Sequence, residues 1–290
     1  MNRILLLGAG GVLGRAFSEH LADGQVVTAG RRELENEPAA ALERLFRHHR
    51  PDFVINCAAH TDLEVAEADP ERDARANAEL PGLIGAVCRT NGATLLHFSS
   101  TGCYGSWKET PYSDDDDLRP TTAHHRAKAA GEEAVTSSGC RFLVLRTGWL
   151  YGGVAGQPKN FVWNRIVEAR GKSEIASDAV QRGCPTFAND LVGQALLMIE
   201  KGLEGVFNAV ANGNASRYDY VAEIVAATAL PCVVKPGPRF QRRANVSMNE
   251  MAINTRLKGL GLDIMPDWKI SLRRYVQALM DSEHRETRSA

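Results

Sequence analysis

The sequence predicts an α/β protein, a doubly wound parallel sheet with a smaller lobe toward its C-terminal end. Three observations carry that reading. Short apolar runs alternate with amphipathic segments of helical period through the first half of the chain. A glycine-rich turn, Gly8-Ala9-Gly10-Gly11-Val12-Leu13-Gly14, stands directly between the first apolar run and the first helical one. After residue 148 the alternation loosens into shorter segments and turns. Alternation of this kind builds a parallel sheet whose right-handed crossovers cover both faces.

The elements follow in order. Residues 3–8 read as a buried strand, and helix 12–22 carries Val12, Leu13, Ala16, Phe17 and Leu21 on one side. Strands are expected over 25–30, 52–58, 93–100 and 141–148, with helices near 38–49, 70–90 and 122–138 between them. Pro38 opens its helix as a proline in the first helical position does. Pro81-Gly82 is expected to kink or interrupt the 70–90 helix. Segment 101–121 reads as a long polar loop. Its aspartates 114 to 117 are expected to form a solvated face, since consecutive carboxylates seldom converge on one ion, and no metal is predicted. Further on, a helix near 160–170, a helix near 188–201 and a strand near 205–211 are expected, the last two returning to the main sheet. The domain reading is therefore 1–148 plus about 188–211 for a dinucleotide-binding domain. About 149–187 plus 212–280 form a substrate-binding lobe, and 281–290 a frayed polar tail.

The chain has 290 residues, 44% hydrophobic and 24% charged, with a formal charge of −1. Near-neutrality gives no field for nucleic acid or an acidic membrane surface. Cysteines 57, 88, 103, 140, 184 and 232 show no C-x-x-C pair and no metal-ligand spacing. They read as reduced, which suits a cytoplasmic protein. Glycines interrupt the apolar start, which argues against a secretory signal, and no apolar run reaches membrane-spanning length.

A strand, a glycine-rich turn and a helix in succession form a cradle where bare backbone and the positive end of the helix meet a diphosphate. The glycines at 8, 11 and 14 have G-x-x-G-x-x-G spacing, and Gly8, Gly11, Val12, Leu13 and Gly14 are the candidate contacts of this Rossmann-like half. The second strand ends Ala29-Gly30-Arg31-Arg32, where an acidic residue would accept the ribose hydroxyls of NAD. A guanidinium pairs instead with a 2′-phosphate, so Arg31 and Arg32 point to NADP. The bland alternative is that both are surface charges.

Ser99-Ser100-Thr101-Gly102-Cys103-Tyr104-Gly105 resembles the S-[ST]-x-x-V-Y-G turn of the extended short-chain dehydrogenase/reductases. Asn56-Cys57-Ala58-Ala59-His60-Thr61 with Glu67 and Asn77 is similar to the N-A-A-A-Y-T…E…N stretch of the dTDP-4-dehydrorhamnose reductase subfamily. Leu145-Arg146-Thr147-Gly148-Trp149-Leu150-Tyr151-Gly152, Gln181-Arg182-Gly183-Cys184-Pro185-Thr186, Arg243, Ser247 and Met265-Pro266-Asp267-Trp268 resemble its later motifs. The likeness runs from residue 3 to about 280. It implies an NADPH-dependent reductase of a nucleotide-linked 4-keto-6-deoxy sugar, with dTDP as the nucleotide; dimers are common in that family. It also implies cofactor contacts at Ala58, Ala59 and Thr61, a catalytic hydroxyl at Ser100, and substrate contacts at Ser100, Thr101, Trp149 and Arg243. Arg239 and Arg242 rival the last as partners of a diphosphate. Trp149 has a core tryptophan at a domain junction as its plain alternative.

One departure is sharp. The family's catalytic pair is Tyr-x-x-x-Lys, one helical turn apart on a shared face. Lys128 is present in Arg126-Ala127-Lys128-Ala129-Ala130-Gly131-Glu132, but His124 stands where the tyrosine is expected, and no tyrosine occurs between 113 and 150. Lys128 can still bind the nicotinamide ribose. His124 is the expected proton donor, since imidazole titrates near ~6.5 and a neutral ring beside an ammonium still donates one N–H. His125, Tyr104 and Tyr112 are the alternative donors. A spectator His124 would instead make a non-catalytic NADP-binding regulatory protein, as the β subunit of methionine adenosyltransferase is within the resembled family. Epimerisation or dehydration of a nucleotide sugar, with no net NADPH consumption, is the third reading.

Overall fold

The structure is a computed structural model that describes residues 3–21, 24, 26–34 and 36–289, apart from the side chains of Arg31, His284 and 286–289. Five parallel strands come from the first half of the chain: β1 (Ile4–Leu7), β2 (Val26–Ala29), β3 (Phe53–Asn56), β4 (Thr94–Ser100) and β5 (Arg141–Thr147). The short strands β6 (Leu150–Tyr151), β7 (Glu174–Asp178), β8 (Arg182–Gly183) and β9 (Thr186–Phe187) follow. Then β10 (Gly205–Asn208) returns to the edge of the main sheet, as expected. The sheet order is β10–β5–β4–β3–β1–β2. All its strands are parallel, and the order in which they are added reverses beside β1, which opens a crevice at their carboxyl ends. Leu5, Leu6, Leu7, Val54, Ile55, Leu95, Leu96, Val144 and Leu145 are all sealed from solvent, which is why these strands read as unbroken apolar runs rather than alternating ones.

Helices α1 (Val12–His20), α2 (Arg31–Leu34), α3 (Pro38–His49), α4 (Leu63–Ala68), α5 (Pro70–Ala74), α6 (Leu80–Asn91), α7 (Ala123–Thr136), α8 (Phe161–Arg170) and α9 (Ala188–Glu200) complete the layers. Phe17 of α1 and Leu191, Val192, Ala195 and Met198 of α9 cover one face of the sheet. Leu42 and Phe46 of α3, Ile84 and Cys88 of α6 and Val135 of α7 cover the other.

The regular α-helix over 70–90 is interrupted just before Pro81, as expected, and two other expectations are corrected. A π-helical turn over Arg75–Glu79 runs straight into α6, and Leu80 N bonds back to Arg75 O. The wider turn relieves the clash a proline ring makes with the preceding turn. Segment 101–121 is not a solvated loop. Tyr104 and Tyr112 are fully buried and stacked at 4.8 Å, and Asp114 is buried, taking the amides of Asn208 and Arg256. Asp115, Asp116 and Asp117 pair separately with Arg256, Lys108 and Arg119. The expected frayed tail continues as helix through Ser289 within α12 (Trp268–Ser289), pinned where Arg170 grips Glu283.

The small lobe adds β11 (Ala215–Ser216), α10 (Arg217–Ala226), β12 (Val233–Gly237), β13 (Asn249–Glu250) and α11 (Thr255–Gly259) before that last helix. Tyr151, Ile166, Tyr220, Trp268, Leu272 and Tyr275 form its core. Among the described residues no helix is long and apolar enough to cross a membrane.

Candidate active site

The turn after β1 is shaped by what its glycines lack. Gly8 has φ +79°, and a Cβ there would lie 2.6 Å from the Ala58 amide nitrogen; one at Gly14 would overlap the Gly8 carbonyl. The chain therefore leaves β1, turns under the end of β3 and enters α1 at close quarters. Gly11 caps α1 without any side-chain hydrogen bond, and Gly10 faces open space. The first amides of the helix are left for an outside acceptor. Val12 is half-buried under Gly152 of the small lobe, while Leu13 and Gly14 are buried. These residues fit the diphosphate of a dinucleotide.

At the end of β2, Gly30 donates its amide to Glu33 at 2.9 Å, and the short α2 starts at Arg31. The Arg31 side chain lies outside the described residues. Arg32 is exposed and lines a surface cavity with Arg44, His48 and His49. Past β3, Ala58 and Ala59 are half-buried, and the Ala58 amide donates to the Asn56 side chain at 3.1 Å. Thr61 is exposed just before Asp62, which caps α4.

The chemistry-bearing groups gather where β4 meets α7. Ser100 is half-buried and its hydroxyl accepts the Gly102 amide at 3.1 Å. Thr101 is fully buried, its hydroxyl unpartnered and facing Gly148. Lys128 is buried and donates to the Phe98 carbonyl, two residues before Ser100. Burial pushes its ammonium down to about 8, against the pull of the anionic groups around it. One donor spent on Phe98 leaves two for a ribose.

His124 lies one turn before Lys128 on the buried side of α7. Its Nδ1 is 3.3 Å from Oδ1 of Asp73, a carboxylate wholly sealed from solvent. The same oxygen takes His60 Nδ1 at 2.7 Å and Asn77 Nδ2 at 3.0 Å. Burial alone would raise the Asp73 carboxyl. The bonds from His124, His60 and Asn77 outweigh that and hold it below the usual carboxylate range. Among the described residues Nε2 of His124 has no protein hydrogen-bond partner.

The alternative donors are placed elsewhere. His125 packs under Gly102, and burial, with His124 and Lys128 beside it, pushes it down to about 3, so it stays neutral. Tyr104 donates to Asn208 at 2.7 Å and Tyr112 to the Gly105 carbonyl at 3.0 Å, both fully buried. Neither phenol can turn toward the crevice without leaving a buried polar atom unpaired.

Trp149 sits at φ +25°, a costly backbone for a bulky residue. Its indole nitrogen donates to Glu250 at 2.7 Å, its ring lies against Gly183, and the Arg217 guanidinium stacks 3.5 Å from its centre. Burial raises the Glu250 carboxyl and lowers Arg217 to about 10. Arg243 is exposed, and its amide with that of Ala244 is tied to Glu64 of α4 at 3.0 and 3.3 Å. Arg242 approaches the same carboxylate, whereas Arg239 turns back to the Val246 carbonyl.

Sequence reasoning missed Asp73, Glu250 and Arg217. Asp73 and Asn77 share a helical spacing of four, and an acidic residue on the buried side of a helix was the available signal. Nothing local in the sequence marks Glu250 or Arg217, which meet Trp149 only through the small lobe.

The model of the family described as RmlD substrate binding domain matches residues 1–280. A curated relative, the probable dTDP-4,6-dihydroxy-2-methyloxan-3-one 4-ketoreductase of Streptomyces antibioticus, is 34% identical over 99% of this chain and 98% of its own. The crystal structure of a dTDP-4-dehydrorhamnose reductase from Clostridium acetobutylicum superposes with a TM-score of 0.91 at 29% identity, covering 96% of this chain and 99% of that one. A dTDP-4-dehydrorhamnose reductase from Bacillus anthracis, solved in complex with NADP, has the same fold at a TM-score of 0.89 and 24% identity, covering 94% and 98%.

Proposed function

The chain belongs to the RmlD substrate binding domain family, and from that premise we propose that it reduces a dTDP-linked 4-keto-6-deoxy sugar with NADPH. One observation carries this reading: His124 and Lys128 share the buried face of α7 in a chain that aligns over 99% of its length with a protein named a probable dTDP-4,6-dihydroxy-2-methyloxan-3-one 4-ketoreductase. When bound, the dinucleotide supplies the hydride that the carbonyl carbon takes up. The open amides at the start of α1 hold its diphosphate, with Gly8, Gly11, Val12, Leu13 and Gly14 shaping the cradle. Arg31 and Arg32 take the 2′-phosphate, and Ala58, Ala59 and Thr61 border the rest of the crevice.

Lys128 holds the nicotinamide ribose and adds positive charge near the reacting oxygen. Ser100 donates its hydroxyl to the carbonyl and fixes its angle. His124 gives the proton through Nε2. Trp149 offers an indole face to the sugar nucleotide, Thr101 supports the floor beneath it, and Arg243 meets its diphosphate from the loop tied to Glu64. Residues 1–148 with about 188–211 serve as the dinucleotide domain, and the small lobe binds the sugar. All six cysteines are free thiols, which suits a cytoplasmic protein, and a homodimer is the assembly we infer.

The test is a panel of dTDP-, UDP- and GDP-linked 4-keto-6-deoxy sugars with NADPH, products identified by NMR. Consumption of NADPH with a dTDP-linked member and formation of its 4-hydroxy product supports the reading. Loss of none of them, with NADPH intact, overturns it.

A further inference from the structure

We propose that Asp73 is a positioning residue for His124, forming with it a carboxylate–imidazole pair that fixes which ring nitrogen faces the substrate. The inference rests on the reductase reading and deepens it. His124 Nδ1 lies 3.3 Å from Asp73 Oδ1. An ionised carboxylate only accepts, so the bond requires a proton on Nδ1. Nε2 is then the ring's other position, and among the described residues it has no protein hydrogen-bond partner. A carboxylate behind an imidazole fixes its tautomer and orientation and compensates positive charge on the ring.

The carboxylate is itself held. His60, from the connection between β3 and α4, donates to the same oxygen at 2.7 Å, and Asn77 does so at 3.0 Å while also reaching the His60 carbonyl at 2.9 Å. Asp73 is sealed from solvent and its other oxygen has no partner, so its acceptor capacity is concentrated on the oxygen the two imidazoles share. The order of support runs from His60 and Asn77 to Asp73, and from Asp73 to His124.

The groups facing the ring set its charge. Lys128 and His125 come from α7 itself, Asp73 from α5, His60 from the β3–α4 connection, and Glu67 of α4 takes the Ala123 amide at 2.7 Å just before it. The Lys128 ammonium opposes charge on the imidazole and the Asp73 carboxylate supports it. In the reducing direction the doubly protonated ring breaks its Nε2–H bond and forms an O–H bond at the carbonyl oxygen, as the carbon gains the hydride. The ring returns to the neutral Nδ1–H form and solvent reloads Nε2.

A phenol in place of the imidazole would need the opposite field, because it becomes negative when it gives its proton. Asp73 should therefore help His124 and hinder a tyrosine, a reversal that a merely structural carboxylate would not produce.

Three readouts test this. Long-range proton–nitrogen spectra of the wild-type protein without ligands should show neutral His124 protonated at Nδ1; an Nε2–H tautomer overturns the proposal, and no variant has to fold for the answer. In turnover, Asp73→Asn should lower kcat by roughly 10²-fold or more, with both KM values little changed and the alkaline limb of kcat moved to lower pH. The same substitution in a His124→Tyr background should raise kcat. Wild-type turnover with an unmoved Asp73→Asn profile sinks the proposal and leaves the reductase reading standing. Absence of wild-type turnover on every keto sugar sinks the reading itself.

Discussion

Gly131 of α7 passes so close to the π-helical turn that a Cβ on it would overlap the Asn77 carbonyl. Two consequences meet there. Pro81 has no N–H to offer the carbonyl four residues back, which is Asn77 O, and that carbonyl lies on the surface α7 approaches. The close approach also brings His124 and Lys128, on α7, against the helix that carries Asp73 and Asn77.

Gly131→Ala should therefore destabilise the protein by about 3 kcal/mol, at the upper end of overpacking costs. It should weaken NADPH binding as well, because α7 must retreat with Lys128. Denaturant unfolding and calorimetric titration check both effects together. A variant as stable as wild type would mean that the two helices can separate without cost.

Arg146 and Glu132 form a buried, doubly hydrogen-bonded ion pair, and Arg146 also holds Tyr104 and the Asp114 carbonyl. Glu132→Gln alone should cost about 3–5 kcal/mol, because a buried guanidinium loses its counter-charge. Replacing both by apolar residues of similar volume should cost much less. A double-mutant cycle in urea gives the comparison.

Much of this architecture was legible in the sequence. The apolar runs at β1, β3, β4 and β5 and the turn at Gly8 to Gly14 are local patterns with one structural meaning. What escaped depends on long-range contacts. Asp114 reads as one of four solvated aspartates, yet it is claimed by amides of Asn208 and Arg256 far along the chain. Pro81 marks the interruption of its helix, but nothing local announces that it takes the form of a π-helical turn. In the candidate site, the resemblance to the family's Tyr-x-x-x-Lys pair marks His124 and Lys128, whereas Asp73 acquires its meaning only when α5 folds against α7.

Lys128 gives a pH signature with opposite signs for stability and binding. Its folded-state value of about 8 lies below the ordinary 10.5, so between these values the unfolded chain binds more protons. Stability should rise with pH across that window, and the cost of the buried ammonium is fully present below about 8. NADPH affinity should fall as pH rises through about 8. Lys128→Met should be more stable at neutral pH, by about 3 kcal/mol, and bind NADPH poorly. Thermal unfolding from pH 7 to 10 checks the slope; a wild-type curve that falls across the window refutes it.

Removing both guanidinia after β2, as Arg31→Ala with Arg32→Ala, should weaken NADPH binding by roughly 10–100-fold, the worth of charge-assisted hydrogen bonds. NADH affinity should not change. Parallel titrations with the two cofactors read the difference, and equal losses for both would place the 2′-phosphate elsewhere.

Trp149→Ala should raise KM for the nucleotide sugar about 10-fold or more, as loss of a stacking surface does, and leave the NADPH dissociation constant unchanged. Steady-state kinetics with a calorimetric control separate the two. A changed cofactor affinity would show that Trp149 serves the lobe junction instead.

The central claim is that hydride leaves the cofactor and stays on the sugar. It is tested most directly by turnover with NADPH carrying deuterium at its transferring position, followed by NMR of the sugar product. The account predicts one deuterium on C4 of a dTDP-linked 4-hydroxy-6-deoxy sugar for each NADPH oxidised. A rearranged sugar without deuterium, beside undiminished labelled NADPH, would contradict it.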